Sequence, residues 1–74
     1  MNLKEAKYNR ELIIKKMNFN EYNTMKLSKY GLEVNKKIVK VSENYICDPI
    51  VISIDSSLVA IKEKDALKIE VTYG

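Results

Sequence analysis

A mainly β fold is predicted: a small barrel of about five short strands, with one short helix between the first two long ones. Three observations point to it. The apolar residues fall in short, β-branched runs separated by polar or turn-forming residues. One stretch between the first two runs carries helical spacing instead. A chain of 74 residues is also close to the lower limit for burying a core, so closing the strands on themselves is the economical way to remove exposed edges and an unburied face.

The first long strand is Glu11 to Met17, ELIIKKM, short and rich in β-branched residues and followed by the polar cluster Asn18-Phe19-Asn20. From Asn20 the pattern changes. In NEYNTMKLSKYGL the residues Tyr22, Met25, Leu27, Tyr30 and Leu32 recur at roughly helical spacing. Asn20 suits an N-cap, and Gly31 suits the left-handed residue that ends a helix. Lys36 to Ser42, KKIVKVS, returns to strand composition after a Val34-Asn35 turn, since Asn tolerates positive φ.

In Ile50 to Asp55, the residues Ile50, Ile52 and Ile54 share one face and Val51, Ser53 and Asp55 the other, which predicts a strand with one buried side. Ser56-Ser57 is read as a tight connection to a hairpin partner, in which Val59 and Ile61 alternate with Leu58, Ala60 and Lys62. Lys62 to Ala66, KEKDA, is a single charged turn, and Ile69 and Val71 alternate with Lys68, Glu70 and Thr72 in a last strand. The expected core is Ile50, Ile52, Ile54, Val59, Ile61, Ile69 and Val71. The elements together predict an SH3-like barrel, with residues 1–74 as a single domain free of repeats and linkers.

Composition narrows the function. One cysteine cannot form an internal disulfide, and the absence of histidine excludes the usual Cys/His zinc sites, so a reducing compartment fits. The apolar runs fall far short of the roughly 20 residues of a spanning helix. The opening MNLKEAKYNRE is too charged for a secretory signal, which places the chain in the cytoplasm. Residues 1–40 hold ten Lys/Arg against four Asp/Glu, and residues 41–74 three against six, giving +6 and −3. This asymmetry reads first as solvated lysines on strand and helix exteriors, and second as an electrostatic face for an acidic partner, nucleic acid or membrane.

Catalysis finds little support. Without histidine a serine or cysteine nucleophile has no ordinary base, and Gly31 and Gly74, the only glycines, cannot make a phosphate-cradling loop. The chain is therefore not expected to be an enzyme. Cys47 beside Asp48 is the one local candidate for a metal ion, although Cys47 reads first as a small packed hydrophobe and Asp48-Pro49 first as turn chemistry. The stripe Met25, Leu27, Tyr30, Leu32 reads first as core. Its alternative is a docking surface, because a short helix laid over a barrel buries one side only and leaves Met25 or Tyr30 beside Lys26 and Lys29. A partner surface is therefore placed on Met25, Lys26, Lys29 and Tyr30, with the Asp48-Pro49 corner as a second contact. A small RNA-binding barrel is a further alternative, resting on the basic first half.

Asp48-Pro49-Ile50, then Ile52 and Ile54, then Val59-Ala60-Ile61-Lys62, then Ala66, Ile69 and Val71 resembles the C-terminal signature of the FeoA family, small cytosolic accessory proteins of bacterial ferrous iron uptake. That pattern has Gly-Asp-Pro, alternating aliphatics, a Leu-Ala-Leu-Arg-like strand, an acidic turn with Ala, and Ile-x-Val. Tyr30-Gly31-Leu32 is similar to the family's Met-Gly-Leu helix end. Cys47 and Ser56 stand where the family usually carries Gly, Asn35 falls in its Pro-Gly turn, and Lys62 replaces the common Arg. The likeness runs from Leu3 to Val71, more loosely before Leu27.

The resemblance implies a non-enzymatic regulator acting with FeoB, the membrane permease whose cytosolic domain binds GTP. No nucleic acid is expected, since the five tyrosines are not clustered and the charge is modest, and the membrane is met only through that partner. No cofactor is required. A divalent transition metal such as ferrous ion is the one ion it suggests, held by Asp48 with carboxylates brought together by folding or oligomerisation. The same barrel resembles the C-terminal domain of DtxR-type metal-dependent repressors, which gives the alternative of a stand-alone metal-sensing module. With no DNA-binding helix pair ahead of the barrel, a complete repressor is not expected.

Overall fold

A computed structural model describes residues 1–41 and 48–74. The strand end predicted at Ser42 and both readings of Cys47 lie outside the described residues. Among the described residues five strands are seen: β1 (Glu11–Met17), β2 (Lys37–Lys40), β3 (Ile50–Ile54), β4 (Ser57–Ile61) and β5 (Ile69–Tyr73). Helix α1 (Glu21–Ser28) joins β1 to β2, and the one-turn α2 (Glu63–Ala66) joins β4 to β5. The strands form one antiparallel sheet in the order β4-β3-β2-β1-β5.

Alternation decides which side chains face inward. Leu12, Ile14, Ile38, Ile50, Ile52, Ile54, Ile61, Ile69 and Val71 are buried in one cluster, so β4 and β5, at opposite ends of the strand order, share the same core. That curl is what makes a small barrel of a single sheet. Leu3, Leu32 and Ala66, from connecting segments, are buried in the same cluster. Of the seven expected core residues, six are buried and Val59 is half-buried against them. A β-bulge at Lys15 lets Ile14 pair with Val71 and Lys16 with Glu70, which turns Lys16 outward and brings Met17 back to the core.

Three expectations are adjusted. The second strand starts at Lys37 and not at Lys36, because Lys36 closes the preceding loop through its N–H to the Glu33 carbonyl. The β3–β4 connection is Asp55-Ser56 and not Ser56-Ser57. Both residues have positive φ (48° and 67°), the two-residue hairpin geometry that matches strand twist, and Ser57 already pairs with Ile54. The charged turn Lys62–Ala66 takes helical form as α2.

The two outer strands are treated differently. Residues 1–3 run along the free side of β5: the Leu3 N–H donates to the Ile69 carbonyl (2.8 Å), and the Val71 N–H to the Met1 carbonyl (2.8 Å). β4 has β3 on one side and, among the described residues, no strand on the other.

Candidate functional site

Helix α1 is fixed at its ends. The Asn20 side chain accepts from the Asn23 N–H (2.8 Å), and Gly31 (φ 91°) turns the chain so that the Leu32 N–H reaches back to the Leu27 carbonyl (3.2 Å). A Cβ on Gly31 would sit 3.4 Å from Ile54 Cδ1, so the end of α1 lies close against the end of β3. Nearby, the Lys36 ammonium lies 2.7 Å from an Asp55 carboxylate oxygen. That hydrogen bond, and then the charge behind it, raises the Lys36 pKa above its ordinary value.

The body of the helix buries nothing. Leu27 is half-buried and Leu32 fully buried, whereas Tyr22 (66%), Met25 (65%) and Tyr30 (56%) are exposed. Reading the stripe as core is therefore wrong for Met25 and Tyr30. The barrel core is closed by Leu32 and by Phe19 and Leu27 at its margin, which leaves the next turn of the helix nothing to pack against.

Met25, Lys26, Lys29 and Tyr30 come together with Tyr22 around a shallow depression on α1. A second hollow, a cleft of about 540 Å³, opens between α1 and β4, walled by Phe19, Leu27 and Tyr30 on one side and by Leu58 to Ile61 on the other, with Lys26, Lys62, Lys64 and Asp65 also lining it. Lys26 and Tyr30 border both hollows. Sequence reasoning passed over Leu58, which is 67% exposed. The signal was available: Leu58 is the large apolar residue on the outward side of the Val59/Ile61 alternation.

Asp48 and Pro49 do not join the α1 group. Both are exposed, and Asp48 borders a separate hollow with Lys62, Glu63, Lys64 and Leu67. The Asp48 Oδ1 accepts the Glu63 N–H (2.9 Å), satisfying a helix-start donor that Lys62, the residue at the cap position, leaves to others. Glu63 in turn is ion-paired with Lys4. Asp48 is thus a cap donated from another segment, and Lys62 and Lys64 connect its hollow to the cleft.

Among the described residues no three side chains of the Cys, Asp or Glu type gather at a common point, and the Asp48 and Glu63 carboxylates are engaged by a backbone donor and a lysine respectively. Nor do the residues lining the cleft pair a nucleophile with a base. The cleft has apolar walls and a mostly cationic lining. Among the described residues no helix is long and apolar enough to cross a membrane.

Comparison with known proteins adds three facts. The family model described as the FeoA domain matches residues 1–73. No curated protein matches the sequence. Among solved structures, iron(II) transport protein A from Clostridium thermocellum superposes with a TM-score of 0.88 at 25% identity, over 99% of this chain and 45% of that one, so this chain spans less than half its length. An iron uptake regulatory protein, FeoA, gives 0.84 at 22% identity over 100% and 96% of the two chains. ScaR with bound zinc gives 0.82 at 22% identity, over 96% of this chain and 35% of that one, a likeness of fold.

Proposed function

Since the chain belongs to the FeoA domain family, we propose that it is a non-enzymatic accessory of ferrous iron uptake that docks in the cytoplasm on the soluble part of a FeoB-type permease. It meets the membrane only through that partner and takes no part in nucleic-acid binding. The observation that carries the reading is the outer face of α1 and the turn that follows it: Met25 and Tyr30 lie exposed beside Lys26 and Lys29, opening into the cleft along β4. Large apolar side chains held out of the core on a capped helix suit a protein contact.

A pull-down with the FeoB cytosolic domain, loaded in turn with each nucleotide, tests it. Met25→Ser and Tyr30→Ser together are expected to weaken capture at least tenfold without changing the unfolding midpoint, as neither side chain is buried. Absence of capture in every nucleotide state sinks the partnership, and capture indifferent to the substitutions sinks this placement. The likeness to ScaR supports a second reading, a metal-sensing module. Anaerobic calorimetry with ferrous or manganous ion on the whole chain decides it, and a flat titration ends it.

A further inference from the structure

The β3–β4 hairpin closes in two residues, so Ile54 and Ser57 exchange hydrogen bonds and the pattern repeats at Ile52/Val59 and Ile50/Ile61. The opposite phase is seen on the other side of β3, where the Val51 carbonyl accepts from the Val41 N–H on the β2 side. It follows that the N–H and C=O of Leu58 and Ala60 point away from the sheet. Among the described residues nothing hydrogen-bonds to them.

Exposed edges are normally blunted by proline, a bulge, an inward charge or a covering segment. β4, SLVAI, has no proline or charge and an unbroken register with β3. The free side of β5, by contrast, is covered by residues 1–3. Beside the open edge lies the cleft, apolar along Phe19, Leu27 and Leu58, with three lysines (Lys26, Lys62, Lys64) against one acid, Asp65.

We propose that β4 accepts one further strand: an extended acidic segment of a partner protein pairs with the main chain of Leu58 and Ala60, sets alternate apolar side chains in the cleft, and presents its carboxylates to Lys26, Lys62 and Lys64. Main-chain bonds supply the attachment and the cationic lining selects the sign of charge. A second copy of this chain is the wrong occupant, because edge-to-edge pairing would bring two sets of the same lysines together. The inference rests on the protein-docking reading above and specifies its mode.

The probe is a heptapeptide alternating valine with glutamate and aspartate, compared with its lysine counterpart, while amide exchange is followed by NMR. The acidic peptide is expected to slow exchange at Leu58 and Ala60 at least tenfold, and the lysine peptide to leave both unchanged. Ala60→Pro removes an N–H that the β3 ladder does not use, a substitution an edge strand tolerates, and is expected to weaken binding at least tenfold. Lys62→Glu with Lys64→Glu does the same by charge alone, so the test survives if the proline variant fails to fold. No binding, binding without protection of these two amides, equal binding of the lysine peptide, or concentration-dependent self-association through β4 each overturns the proposal. Repeating Ala60→Pro against the FeoB cytosolic domain separates the two claims. Capture insensitive to it overturns the edge, whereas failed capture with the peptide result intact overturns the partner.

Discussion

Lys40 is the buried charged residue among those described, 3% exposed on the inward face of β2 next to Ile38. Burying an ammonium is costly unless its donors are met. Here it donates to the carbonyls of Lys4 (2.7 Å) and Ala6 (3.0 Å) and lies 4.4 Å from the centre of the Tyr8 ring. It therefore fastens the irregular first ten residues to the sheet. Lys40→Met keeps the volume but strands two carbonyls, and is expected to destabilise by about 1–3 kcal/mol with faster amide exchange in residues 3–9; an unchanged urea midpoint would refute this role. The Lys4 and Ala6 acceptors are main-chain atoms and so carry no side-chain signature in the sequence.

At the scale of elements, the sequence is most legible where alternation and capping act locally. Glu11–Met17 was bounded by its β-branched run, and α1 by Asn20 and Gly31. The hairpin turn was displaced by one residue because Ser56, not Gly, holds the left-handed position that usually betrays such turns. The stripe on α1 misled for a different reason: helical spacing reports that a helix has an apolar face, but not whether the core has room left for it. The Asp48 cap was equally hidden, its partner a backbone N–H fifteen residues away. Removing it should cost roughly 0.5–2 kcal/mol, as for other lost helix caps. Asp48→Ala is expected to lower the urea midpoint accordingly, while Asp48→Asn, which keeps an acceptor oxygen, stays close to the original protein. Equal loss in both would mean that charge, and not capping, is what the corner needs.

For the whole molecule, the core is closed by segments outside the sheet. Leu3 is completely buried although the surrounding MNLKEAKYNRE reads as a charged lead-in. Leu3→Ala is expected to destabilise by about 2–5 kcal/mol, the range for a buried leucine, and denaturant unfolding measures it. A loss near zero would mean that residues 1–3 only rest on β5 without holding the barrel. The barrel itself was legible because its strands alternate cleanly. Which surface is left over for function was not, because that depends on how connecting segments fold back across strand edges far away in sequence.

The unequal dressing of β4 and β5 sets the valency of the molecule. A sheet open on both sides can be extended at both ends and so can propagate into a polymer. With the β5 side occupied by its own first residues, this one offers a single site of extension among the described residues. A strand added to β4 would leave this chain, among its described residues, no second edge of the same kind to extend. Complexes formed this way should be one-to-one, and their saturation curves simple and non-cooperative, so that occupancy tracks the partner's concentration in direct proportion while free sites remain in excess.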